Sequence, residues 1–120
     1  MMASDGGCLF CRIVRGEIAS RKVYEDDDIL AFHDIRPLTP VHFLIIPKEH
    51  IPTLMECEEA HGRALGKILL LAGRLAREQG AADGFRTIIN TGRVGGQEVY
   101  HVHAHILGGP EKLPRMLSRT

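Results

Sequence analysis

The 120 residues carry no excess charge of either sign, no long apolar run and no internal repeat. Lysine plus arginine and aspartate plus glutamate stand at 15 each, so no net field recruits duplex nucleic acid, whose binding rests mainly on neutralising phosphates. A nucleic-acid partner is not expected. The longest uninterrupted apolar stretch, Ile68 to Ala72, is far short of the roughly 20 residues that cross a bilayer. No membrane association is expected either. Asp5 and two glycines stand where an export signal would place apolar residues, so we expect a cytoplasmic protein with reduced thiols.

What is present fits one domain. A chain of this length has material for a single core, and 44% hydrophobic with 25% charged residues is ordinary for a globular fold. We read residues 1–120 as one domain, with a flexible start over 1–7 and a tail over 110–120. Cys8 to Val14, followed by Gly16, reads as a short helical turn. Lys22 to Glu25 and Ile29 to His33 read as two strands joined by a turn at Asp26 to Asp28, an acidic run to which we assign no chemistry. Asp34 to Pro40 holds two prolines and is a loop; His42 to Pro47 resumes an extended apolar pattern.

Between about Glu58 and Gln79, Leu65, Ile68, Leu69, Ala72, Leu75 and Ala76 recur at helical spacing, with Gly80 as the stop. Gly62, Gly66 and Gly73 weaken this helix, and either admit another backbone or lie on an unconstrained face. Phe85 to Asn90 and Val99 to Leu107 supply the last strands, joined by the loop Thr91 to Gln97. Strands without intervening helices, apart from the one long helix, predict an α+β fold with an antiparallel sheet of about five strands.

One pattern carries chemistry. His101, His103 and His105 alternate with Val102, Ala104 and Ile106, so a strand would align three imidazoles on one face and bury the other. Two readings compete beside the bland one of solvated surface histidines. Adjacent ring nitrogens could ligate a hydrolytic metal, although no further His/Asp cluster follows in the sequence. Alternatively, a neutral imidazole attacks phosphorus, which suits a side chain whose ordinary pKa lies near 6.5.

The segment His101-Val102-His103-Ala104-His105-Ile106-Leu107 resembles the motif that names the histidine triad (HIT) superfamily. Ala31-Phe32-His33-Asp34-Ile35, Phe43 through Lys48, Gly95-Gly96-Gln97 and Leu107-Gly108-Gly109 extend the likeness to the Hint branch, the histidine triad nucleotide-binding proteins, over roughly Cys8 to Gly109. The resemblance implies a homodimeric purine nucleoside phosphoramidase that passes an AMP or GMP unit through a nucleotidyl-histidine. His103 corresponds to the nucleophile, His105 to the residue that contacts the phosphate and leaving group, and His42, Asn90 and His101 to supporting positions. Asp34 matches the acid that accepts from the ribose hydroxyls; Phe10, Ile13, Ile18, Phe32, His33 and Ile35 match the purine pocket. Glu98 and Val99 fall at further substrate-facing positions, Glu98 standing where eukaryotic members carry serine and bacterial members also use glutamate. The tail lacks the tryptophan-proline ending of many members. Dinucleoside polyphosphate hydrolysis, the activity of the fragile histidine triad branch, and a nucleotide-binding scaffold with slow turnover are the rival readings.

Cys8 and Cys11 form a C-x-x-C spacing that suits two thiolates on one tetrahedral metal, and only a short polar segment precedes them where a thioredoxin-like motif needs a strand. In similar proteins such a pair joins two histidines on a structural zinc. By that resemblance the ligands are Cys8, Cys11, His50 and His101, with no catalytic metal; Cys57 has no partner at useful spacing.

Overall fold

The computed structural model describes residues 7–117; most of the segment expected to be flexible and the last three residues of the tail lie outside them. The elements run α1 (Leu9–Val14), β1 (Lys22–Glu25), β2 (Ile29–His33), β3 (Val41–Pro47), two 3-10 turns (Leu54–Glu56 and Glu59–His61), α2 (Gly62–Glu78), β4 (Phe85–Ile88) and β5 (Ala104–Gly108). The strands form one sheet in the order β1-β2-β3-β5-β4, every neighbouring pair antiparallel. No helix of the described residues is long and apolar enough to cross a membrane.

The three inner strands, β2, β3 and β5, are largely buried on both faces, and their alternation assigns each face a different task. Ile29, Ala31, Val41, Phe43, Ile45, Ala104 and Ile106 turn to one side and pack against Ile68, Ala72, Leu75 and Ala76 of α2. Leu30, Phe32, Leu44 and Ile46 turn to the other, where they meet Phe10, Cys11 and Ile13 of α1. The large core lies under α2. The smaller cluster under α1 carries the polar groups described below.

The structure departs from the sequence expectations at several points. α2 begins at Gly62, four residues later than Glu58, because Glu58 is extended (φ −130, ψ 175) and donates its backbone N–H to His61 Nδ1 at 2.9 Å, a local bond that competes with helix. Leu69, expected on the apolar stripe, is 61% exposed, since it lies one residue and about 100° round from buried Ile68. A Cβ at Gly62 or Gly66 would meet nothing within 4 Å, and one at Gly73 only Phe85 Cε2 at 3.8 Å, so these glycines admit no close backbone. Gly80 does stop α2 as expected, at φ 110.

A further correction concerns the last two strands. β4 ends at Ile88 rather than Asn90, and β5 starts at Ala104, not Val99. The β3–β5 ladder runs from Val41↔Gly108 to Ile45↔Ala104 and stops there. Beyond it, Pro47 has no N–H to offer a neighbouring strand, and its carbonyl is taken by the His101 ring at 2.7 Å. Residues 99–103 therefore run outside the ladder, held by bonds from His101 N to Val99 O (2.9 Å) and from Val102 N to Ile51 O (2.7 Å). Val102, Ala104 and Ile106 are buried as the alternation requires. The three imidazoles all lie on the α1 side, His101 against Cys8 and Cys11, and His103 and His105 in a cavity wall.

The acidic turn is structural. Asp26 Oδ1 accepts from the backbone N–H groups of Asp28 (2.8 Å) and Ile29 (3.0 Å), while Oδ2 accepts from Tyr24 Oη (2.9 Å) and from Lys67 Nζ (3.0 Å) on α2. Burial raises the proton affinity of Asp26, yet these donors outweigh it and hold the carboxyl well below the usual carboxylate range. The stabilisation is thus present at neutral pH and fades as pH falls below about 4. We expect Asp26→Ala to cost about 1–3 kcal/mol in urea unfolding at pH 7, and exposed Asp27→Ala less than about 0.5 kcal/mol; equal costs would refute the docking of this turn on α2.

Candidate active site

A cavity of about 760 Å³ opens on the α1 side of the sheet, within the size range of small-ligand sites. His103 and His105 stand in its wall with Asp34, Asn90 and Glu98. Phe10, Ile13, Ile18, Phe32 and Val99 supply its apolar part, with His33 beside them and Ile35, 93% exposed, at the mouth. Phe10 is central: its ring meets Phe32 edge-on at 5.6 Å and His103 at 5.1 Å. His42 and His101 are buried behind the wall rather than in it.

Each histidine tautomer follows from a backbone partner that has no choice of role. The carbonyl of His101 can only accept, so His103 Nδ1, 2.7 Å away, carries a hydrogen and the lone pair lies on Nε2. The N–H of Leu38 can only donate, so His42 Nδ1, at 3.0 Å, accepts and the hydrogen of the neutral ring sits on Nε2. His42 Nε2 then donates to His105 Nδ1 at 3.1 Å, which leaves His105 with its own hydrogen on Nε2. One backbone amide thereby orients two imidazoles in series. Burial lowers the proton affinity of His42, opposed by the Asp34 carboxylate, so the neutral form assumed here is the favoured one. Burial also lowers that of His103, against the opposing bond to His101 and the charges of Asp34 and Glu98. Glu98 therefore bears on the site through its charge on His103.

Asp34 has two engagements. Its Oδ1 accepts from Arg36 N–H at 2.8 Å and shapes the loop, and Oδ2 lies 3.5 Å from His42 Nε2. His33, at the end of β2, is lowered in proton affinity by burial and by the Arg21 charge nearby. Gln97, buried, closes the loop that carries Glu98: its amide donates to Pro52 O (2.7 Å) and Val99 O (3.0 Å), and its Oε1 accepts from Gly92 N (2.9 Å). Gly95 lies in the same loop, where a Cβ would stand 2.5 Å from Thr91 O.

Two side-chain groups have metal-ligand composition among the described residues. Cys8, Cys11, His50 and His101 bring one donor atom each within 4.8 Å of one another. Cys8 Sγ is 3.3 Å and Cys11 Sγ 3.5 Å from His101 Nδ1, and Cys11 Sγ is 3.2 Å from His50 Nδ1. A tetrahedral zinc, with bonds of about 2.3 Å to sulfur and 2.0–2.1 Å to nitrogen, sets adjacent ligand atoms about 3.5 Å apart. The His101 tautomer also fits, because its Nε2–H donates to Pro47 O and leaves the Nδ1 lone pair toward the sulfurs. These four residues can bind a metal. The second group, Asp34, His42 and His105, does not suit one: the His42 nitrogen that faces the other two carries a hydrogen, fixed there by Leu38.

Sequence reasoning missed the Leu38 N–H and the Pro47 carbonyl, which set the tautomers, because backbone groups leave no residue signature. It also gave Leu9, Ser20 and Arg21, which line the cavity, no role.

A family model described as HIT domain matches residues 15–112. The purine nucleoside phosphoramidase of Escherichia coli (strain K12) is 50% identical over 102 residues, covering 84% of this chain and 86% of its own length. The crystal structure of a HIT family hydrolase from Legionella pneumophila Philadelphia 1 matches with a TM-score of 0.83 and 48% identity, over 88% of this chain and 95% of that one. A zinc-bound histidine triad family protein from Mycobacterium smegmatis matches with a TM-score of 0.77 and 34% identity, over 88% of this chain and 77% of that one.

Burial pushes the His105 ring down to about 4, with His103 and His42 adding to the shift and Asp34 opposing it. We expect ring-nitrogen NMR to show His105 neutral with hydrogen on Nε2 from pH 8 to about 5.5. Because the folded ring binds its proton less well than the unfolded one, its effect on stability is absent above about pH 6.5 and grows unfavourable as pH falls toward 4. A His105 ring that titrates near 6.5 would contradict both its burial and the chain from Leu38.

Proposed function

The chain belongs to the HIT domain family, and from that membership we propose that it is a purine nucleoside phosphoramidase of the Hint branch, acting on AMP or GMP units joined to an amine. The observation that carries this reading is the bond from His103 Nδ1 to the His101 carbonyl, which puts a lone pair on Nε2 of a ring in the cavity wall. A neutral imidazole so held is a nucleophile.

In the first step His103 Nε2 bonds to phosphorus as the P–N bond breaks, and the nitrogen leaves with the bonding pair as an amine, its added proton taken from solvent. His105 stays neutral and directs its Nε2–H at the phosphate oxygen and leaving nitrogen, stabilising charge as a hydrogen-bond donor. Water then attacks phosphorus and gives a proton back to solvent, the P–Nε2 bond breaks with its pair returning to the ring, and nucleoside monophosphate leaves with His103 restored. His42 acts through His105 and Asn90 supports the phosphate. Asp34 Oδ2 accepts from the ribose, and the purine lies against Phe10, Ile13, Ile18, Phe32 and His33, with Ile35, Val99 and Glu98 around the mouth. No catalytic metal takes part in this scheme. A zinc ion held by Cys8, Cys11, His50 and His101 would close the coordination shell with protein ligands and supply cross-linking rather than chemistry.

We place the protein in the cytoplasm as a homodimer. Among the described residues β4 is an edge strand paired with β5 alone, and Leu69 and Leu70, 61% and 83% exposed, stand about one turn of α2 before Gly73, which faces the Phe85 ring of β4. An unpaired edge beside exposed leucines favours a partner.

Incubation with adenosine 5′-phosphoramidate, acid quench and intact mass measurement is expected to reveal an adenylyl adduct in the natural protein and none in His103→Ala, whose turnover should fall at least about a thousandfold. Turnover that survives this substitution would overturn the mechanism. Light scattering should give twice the chain mass, and Leu70→Glu should shift it toward the monomer; a monomeric natural protein would remove the dimer.

A further inference from the structure

His101 belongs to the metal-binding group by its side chain and to the nucleophile by its backbone. Its ring Nδ1 lies 3.3 and 3.5 Å from the sulfurs of Cys8 and Cys11, while its carbonyl, on the same residue, holds His103 Nδ1 at 2.7 Å. The residue is fully buried, so neither contact is exchanged for water. The segment it sits in has no ladder bonds, since β5 starts at Ala104, so residues 99–103 depend on tertiary anchors that the sheet does not provide. The other side of the metal group is α1. Cys8 caps that helix, its Sγ accepting from Cys11 N at 3.3 Å, and Phe10, between the two cysteines, presses edge-on against both His101 and His103.

We propose that His101 is a positioning residue through which occupation of the Cys8–Cys11–His50–His101 centre and phosphate binding at His103 are thermodynamically coupled. An ion on the His101 ring fixes the backbone that carries the acceptor for His103, and a phosphate against His103 restrains the same backbone in return. The coupling is reciprocal by necessity: whatever factor zinc adds to nucleotide affinity, nucleotide adds to zinc affinity. This rests on the nucleotide reading above, and the two fail differently.

The test uses zinc-loaded full-length protein and follows transfer of zinc to a chromogenic chelator, alone, with saturating AMP and with saturating adenosine. AMP is expected to slow release by about fivefold or more, the lower end of ordinary coupling between sites. Adenosine fills the base pocket without reaching His103 and should slow it less. Calorimetry should then show AMP binding more weakly to zinc-free His50→Ala, which loses a metal ligand but keeps His101, by the factor by which AMP raises zinc affinity in the natural protein. Release unaffected by bound AMP, equal slowing by adenosine, or a protein that takes up no zinc would each overturn the coupling. Failure of AMP to bind at all would overturn the nucleotide reading, and the coupling with it. The release measurement needs no stripped or substituted protein, so it stands even where His50→Ala does not fold.

Discussion

The bond between His103 Nδ1 and the carbonyl of His101 is the constraint on which the site depends. An imidazole in water exchanges tautomers and has two nitrogens to offer; this one is buried, kept neutral and has a backbone acceptor at one end. Only Nε2 is left with a lone pair. The reactivity proposed for the protein follows from that single bond, provided the carbonyl stays in place, and its place is set outside the sheet by the His101 ring. A carbonyl in a regular ladder would have been committed to a neighbouring strand.

The division of labour between the sheet faces explains how a chain of this size affords such a site. Under α2, the buried residues from β2, β3 and β5 form an apolar cluster. Burial of that kind stabilises by roughly 25 cal/mol per Å² and needs no directional contacts. The α1 face can therefore hold buried imidazoles, each of which costs desolvation unless bonded. His42, His101 and His103 all have hydrogen bonds, and two of the partners are backbone groups of β3 or the loop before it. The apolar face supplies rigidity and the polar face spends it.

Much of this was legible in the residue order. The hairpin Lys22–Glu25 with Ile29–His33 followed from β-branched and aromatic residues on either side of an acidic turn, and the long helix from its apolar spacing. Spacing marked Cys8 with Cys11 and alternation marked His101, His103 and His105, whereas His50 and the other cavity residues followed from resemblance. What the sequence concealed was irregular. A strict alternation from His101 to Ile106 reads as strand throughout, yet pairing stops at Ala104 because a strand needs a partner as well as a pattern, and Pro47 cannot complete one. Leu69 looked like core because windows of helical periodicity average over a stripe whose edges are set only by packing.

Two groups of similar composition lie in one site, and their difference shows what decides the fate of a histidine cluster. In one, the far nitrogen of His101 faces a carbonyl, so it must carry hydrogen and the near nitrogen must present a lone pair to two thiols. In the other, the far nitrogen of His42 faces an amide N–H, so it must accept and the near nitrogen must donate. The first arrangement makes a metal ligand and the second a hydrogen-bond relay. Residue type and spacing are nearly blind to this choice, since both groups offer histidines beside acidic or thiol side chains. The sign of one backbone dipole behind each ring settles it, which is why the chemistry of such a cluster is written in the fold around it as much as in the histidines themselves.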